Sequence, residues 1–156
     1  MAIAAIALGS NIGDSRALLH DAVRSLATIG HVIAVSEFIE TEPVGYKDQP
    51  RFLNGAALLE TELPPETLLQ ELLLIERDHG RDRSHAIAKG PRTLDLDLLL
   101  YDDRVLQTPD LTLPHPEMHT RAFVLEPLAQ IAPDMLHPLL RKTIRQLLAD
   151  LHAYTA

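Results

Sequence analysis

The chain has no cysteine and no tryptophan, and its aromatic rings are three tyrosines and three phenylalanines. Without cysteine there are no disulfides and no thiolate metal sites, which is compatible with a reducing compartment. Positive charge is also scarce: 14 Lys and Arg stand against 22 Asp and Glu, a net charge of −8. General nucleic-acid binding works by neutralising phosphates with Lys and Arg, so that class is set aside. No apolar run approaches the ~18 residues of a membrane span. The apolar start MAIAAIALGSN has no basic segment before it and turns polar quickly, so it reads as a first strand and not as a signal peptide. No internal repeat, linker or low-complexity segment interrupts the chain. With 156 residues, 46% apolar and 23% charged, the expectation is one domain over residues 1–156. A cytoplasmic enzyme or binding domain is the default class.

The most informative stretch is GPRTLDLDLLLY, residues 90–101. A Gly-Pro turn leads into an apolar run of strand length, interrupted by two aspartates at strict alternation. Successive strand side chains point to opposite faces, so Asp95 and Asp97 share one face with α-carbons roughly 6.5–7 Å apart. Carboxylates so spaced suit Mg²⁺, which takes one or two of them together with water and phosphate oxygens. For a lone pair of this kind, the solvated face of an antiparallel sheet would be the better reading. The neighbours favour the metal. Leu98, Leu99 and Leu100 indicate a strand buried on both faces, and the pair sits next to an arginine-bearing loop.

Along the chain, residues 2–8 form a strand that ends at Gly9-Ser10-Asn11. Asp14 is a good N-cap for an amphipathic helix over 15–29, and Gly30 a good stop. The turn lacks the signatures of a P-loop or a dinucleotide fingerprint and is weak alone. A second strand covers 31–39, and residues 41–51, with two Pro and one Gly, form a loop. The third strand runs over 52–62. Its Phe52 and Asn54 face the same way; an aromatic plate beside an amide can bind a flat heterocycle, but the residues alone favour a core Phe with a loop-satisfying Asn. Pro64-Pro65 opens a helix that Gly80 closes.

From Arg81 to Arg92 there are four of the 14 basic residues and one acid. In an acidic chain that excess suits an anion, and the Arg fork can bond two phosphate oxygens at once; the alternative is an ordinary solvated loop. A strand over 104–108 precedes LTLPHP, where proline on both sides of His115 makes a rigid extended segment. A helix through Val124, Leu125, Leu128 and Ile131 and a final helix over 143–152 complete the chain. The order predicts an α+β, ferredoxin-like βαββαβ core: an antiparallel sheet with helices on one face, and additional C-terminal helices packing around it.

Taken together, LGSNIGD, TEPVGYKDQPRFLN, ERDHGRDR, GPRTLDLDLLLYDD and LTLPHPEMHTRAFVLEPLAQIAPD closely resemble the 6-hydroxymethyl-7,8-dihydropterin pyrophosphokinase family of folate biosynthesis. The resemblance covers nearly the whole chain in order. It implies transfer of diphosphate from ATP to the hydroxymethyl group of 6-hydroxymethyl-7,8-dihydropterin, releasing AMP, by a cytoplasmic monomer. By the same resemblance Asp95 and Asp97 hold two Mg²⁺ ions on the triphosphate, and Arg81, Arg83 and Arg92 stabilise the transferred group. Glu76, Arg83, Lys89, Thr112, His115 and Arg121 would contact ATP. Phe52 and Phe123 would sandwich the pterin, Asn54 would read its edge, and Thr41, Val44 and Gly45 would complete its pocket. The resemblance thus reverses the reading of Phe52 and Asn54 as core.

The chain departs from the family's bacterial pattern at several places. Ala88 and Lys89 stand where an Arg and a Trp are frequent, and the loop from Gly80 to Gly90 is one residue longer. Pro116 replaces an aromatic, and Asp110 an arginine. Two rival classes fit less well. Nucleotidyltransferases keep their Gly-Ser turn and DxD strand within one short unit, whereas here they lie far apart. A ferredoxin-like sensor of a flat ligand would have no use for the aspartate pair.

Overall fold

The computed structural model describes residues 1–41, 51–80 and 93–155. Strand β1 (Ala2–Ser10) is followed by helix α1 (Ser15–Leu26), strands β2 (His31–Val35), β3 (Ile39–Thr41) and β4 (Phe52–Thr61), helix α2 (Pro65–Asp78) and strand β5 (Asp95–Tyr101). Two short hairpins, β6 (Leu106–Gln107) with β7 (Thr112–Leu113) and β8 (Leu136–His137) with β9 (Lys142–Thr143), flank helix α3 (Ala122–Ile131). Helix α4 (Ile144–Thr155) ends the chain.

The main sheet has the order β2-β4-β1-β5, with β3 also on β4, and every pairing is antiparallel. This is the βαββαβ arrangement expected from the sequence. Its two crossover helices lie on one face. There Ile6 and Leu8 of β1, Leu19 and Leu26 of α1, Leu68 and Leu72 of α2, and Leu94, Leu96 and Leu98 form one buried cluster. The other face is not left open. Ala5, Ala56, Leu58, Leu99 and Leu100 pack with Val124, Leu125 and Leu128 of α3 and Ile144 and Leu147 of α4. The C-terminal helices therefore make a third layer.

Strand β5 serves both cores because its register against β1 slips between Ala5 and Ile6, where Leu98 pairs with Ile6 but Leu100 with Ala5. An extra residue of this kind interrupts the alternation of faces. Hence Leu98 lies in one core, Leu99 and Leu100 in the other, and Tyr101 in the first again.

Several boundaries differ from the sequence expectation. Helix α1 stops at Leu26, not 29, with the Thr28 hydroxyl donating to the Ser25 carbonyl (2.6 Å). Gly30 is therefore no helix stop. A Cβ there would lie 2.5 Å from the Glu60 carbonyl oxygen, so close packing on β4 demands the glycine. Asp14 does cap α1, accepting the Ala17 N–H (3.2 Å), and Gly80, at φ 88°, does follow α2 in the left-handed region.

The expected strand over 31–39 is two strands. Ser36 breaks it by taking over the ladder: its N–H donates to the Ala56 carbonyl (2.9 Å) and its Oγ accepts the Ala56 N–H (2.8 Å). Phe38 then lies so close to Gly55 that a Cβ there would be 2.6 Å from its ring. The expected strand over 104–108 shrinks to β6.

Candidate active site

The register of the sheet assembles the site from residues far apart in sequence. On the face turned toward α3, Asn54, Gly9 and Asp95 lie side by side across β4, β1 and β5, and Ala56, Ala7 and Asp97 form the next row. The β1 members of both rows are the smallest residues, so the two carboxylates overlook a shallow floor. A Cβ on Gly9 would come within 3.3 Å of Asn54 Oδ1 and 3.9 Å of Asp95 Cβ. The glycine of the weak LGSN turn is thus what keeps the space between amide and carboxylate open, a role nothing in its local sequence signals.

Asn54 is buried, and its Nδ2 donates to Thr41 Oγ1 (2.5 Å). Thr41 pairs with Phe52, so Thr41, Phe52 and Asn54 lie together. Phe123, in the first turn of α3, packs at the border of the second core, with the Arg121 guanidinium 5.6 Å from its ring centroid. That is cation–π range.

His115 follows a cis Leu113–Pro114 bond, and its backbone N–H donates to the Leu99 carbonyl (2.9 Å), which fixes it beside β5. Its Nδ1 accepts the Glu117 N–H (3.2 Å), so the neutral ring carries its proton on Nε2. Burial, aided by the Arg121 cation, lowers its pKa below the ordinary value, while Glu117 and Asp95 pull the other way. Glu117 also pairs with Arg121. Sequence reading passed over Glu117, although its i,i+4 spacing to Arg121 is the pattern of a helical ion pair. Thr112 is exposed on β7, pairing with Gln107. Glu76 is 2% exposed, and its Oε2 accepts the Leu96 N–H (2.8 Å) between the two aspartates. Val44, Gly45, Arg81, Arg83, Lys89 and Arg92 lie outside the described residues.

Among the described residues no group of three or more His, Cys, Asp or Glu is arranged to hold a metal. The aspartate pair alone would be a poor cage for a structural cation. It does fit Mg²⁺, which is commonly held by one or two carboxylates with phosphate and water oxygens filling the rest. Among the described residues, no helix is long and apolar enough to cross a membrane.

Comparison with known proteins places this geometry in context. The family model for 7,8-dihydro-6-hydroxymethylpterin-pyrophosphokinase (HPPK) matches residues 5–133. The chain is 44% identical over 140 residues to 2-amino-4-hydroxy-6-hydroxymethyldihydropteridine pyrophosphokinase of Haemophilus influenzae, covering 88% of this chain and 86% of that one. To the Bacillus subtilis protein of the same name it is 48% identical over 131 residues, 83% of this chain and 77% of that one. It is also 42% identical, over 96% of its length, to the folic acid synthesis protein fol1 of Schizosaccharomyces pombe, of which it spans only 20%. In fold it is similar to the Plasmodium falciparum HPPK-DHPS chain solved with pteroate (TM-score 0.79, 16% identity), covering 99% of this chain and 43% of that one.

Proposed function

The chain belongs to the 7,8-dihydro-6-hydroxymethylpterin-pyrophosphokinase family, and we propose that it transfers the β,γ-diphosphate of ATP to the hydroxymethyl group of 6-hydroxymethyl-7,8-dihydropterin in folate biosynthesis. The acceptor hydroxyl oxygen attacks the β-phosphorus and loses its proton. The bond from that phosphorus to the α,β-bridging oxygen breaks, and AMP leaves with the bridging oxygen. The observation that carries this reading is the row Asn54–Gly9–Asp95, which sets a heterocycle-reading amide and a phosphate-side carboxylate on adjacent strands of one face.

In this reading Phe52 and Phe123 stack on the pterin, and Asn54, oriented by Thr41, bonds its edge, with Val44 and Gly45 completing the pocket. Asp95 and Asp97 would hold two Mg²⁺ ions, which when bound neutralise phosphate oxygens and help align attacking and leaving groups. His115 offers its Nε2–H, and Arg121 its guanidinium, to phosphate oxygens; Thr112 adds a hydroxyl. Arg81, Arg83, Lys89 and Arg92 supply the positive charge that an acidic chain needs to hold a triphosphate. The protein works as a cytoplasmic monomer over a single domain.

The test is direct. Purified protein is expected to form AMP from ATP only when both hydroxymethyldihydropterin and Mg²⁺ are present. AMP formation without the pterin, or none with all three, refutes the assignment.

A further inference from the structure

We propose that Glu76 is a positioning residue for the aspartate pair, acting through the Leu96 peptide and not by touching the nucleotide. The inference rests on the reading of Asp95 and Asp97 as metal ligands. Among the described residues strand β5 is the last strand of the sheet, paired with β1 on one side only. The backbone groups on its outer side meet no strand among the described residues, and a buried N–H left unmatched is costly. Two side-by-side devices supply the missing partners. The His115 N–H takes the Leu99 carbonyl (2.9 Å), and Glu76 Oε2 takes the Leu96 N–H (2.8 Å).

The second contact falls at a sensitive place. Leu96 is the residue between the two aspartates, and the orientation of its peptide sets where both carboxylates point. Its side chain, 4% exposed, is already fixed in the core beside α2, while Asp95 and Asp97 lie against Gly9 and Ala7 of β1. The carboxylate from the last turn of α2 clamps the remaining edge with a charge-assisted bond. Glu76 is itself 2% exposed, so it is enclosed with the strand it holds. Groups that orient metal ligands without binding the metal typically change metal affinity by about 10–100-fold when removed.

The experiment compares Glu76→Met, which has no acceptor, with Glu76→Gln, which keeps one, and Glu76→Asp, which keeps the charge but is a methylene shorter. Mn²⁺ with α,β-methylene-ATP serves as probe, followed by paramagnetic resonance. Hydrogen exchange of the Leu96 amide provides a readout without metal or turnover. Glu76→Met and Glu76→Asp are expected to weaken Mn²⁺ binding about tenfold or more and to speed Leu96 exchange. Metal-free nucleotide and pterin affinities should stay unchanged, and Glu76→Gln should restore both Mn²⁺ affinity and Leu96 protection.

Should Glu76→Gln and Glu76→Met both weaken metal-free nucleotide, Glu76 touches the nucleotide and the proposal fails. It also fails if all affinities drop in parallel with the melting temperature. If Glu76→Met does not fold, Glu76→Asp decides alone: wild-type Mn²⁺ affinity there overturns the inference. Asp97→Ala separates the two levels. If it keeps Mn²⁺, the metal reading falls and takes the inference with it; if it loses Mn²⁺ while the Glu76 variants do not, only the inference falls.

Discussion

At the scale of single residues, the site depends as much on what is missing as on what is present. Gly9 has no side chain where one would press on Asn54 Oδ1 at 3.3 Å. Gly9→Ala should fold with a stability change of about 1 kcal/mol or less, because lower backbone entropy in the unfolded chain offsets the crowding of the added Cβ against Asn54. Pterin affinity should nevertheless fall clearly, since the Asn54 amide must give way by a few tenths of an ångström and the space between it and Asp95 is narrowed. Denaturant melts and a pterin titration check both halves, and wild-type pterin affinity would remove Gly9 from the site. Asn54→Ala should weaken pterin far more than ATP; equal losses in calorimetry would refute its role in reading the heterocycle edge. For Asp97→Ala, Mg²⁺-dependent turnover is expected to drop about a hundredfold or more, with the melting temperature held. Near-normal turnover would sink the metal assignment.

At the scale of elements, the sequence shows what alternation, caps and turns encode, and little of what contacts across the sheet decide. The aspartate pair was legible because period two is local. The cap at Asp14 and the left-handed Gly80 were legible for the same reason. The division of the 31–39 strand was not, since Ser36 becomes a break only by meeting Ala56, 20 residues on. The register slip that sends Leu99 and Leu100 into the second core is likewise a property of the β1–β5 pair. Glu76 reads as a nucleotide contact in the family pattern, yet its carboxylate meets a backbone N–H that only the folded chain brings near. Ser36 gives the sharpest test at this scale. Ser36→Ala leaves the Ala56 N–H buried without its acceptor, at a cost of about 1–3 kcal/mol. Urea unfolding should register that loss while the Michaelis constants stay put. A loss too small to measure would mean that the strand break does not rely on the hydroxyl.

At the scale of the whole molecule, the third layer has its own pH signature, separate from the site. His137, on β8, is buried; its Nδ1 accepts the Leu140 N–H (3.1 Å) and its ring stands edge-on to His119. Burial first, then the neighbouring His119, lowers its pKa below 6.5, with its own backbone pulling weakly the other way. A histidine whose folded pKa is depressed binds its proton less readily folded than unfolded. Its contribution to stability is therefore fully present above about pH 6.5 and is lost as pH falls from there through the folded value. His115 is lowered in the same direction and adds to the slope. The urea midpoint is thus expected to be flat from pH 8 to about 6.5 and to decline below it. His137→Asn, whose Oδ1 can take the Leu140 N–H in place of Nδ1, should keep the fold and remove part of that decline. An unchanged slope would show that protonation of His137 is not what loosens the helical layer.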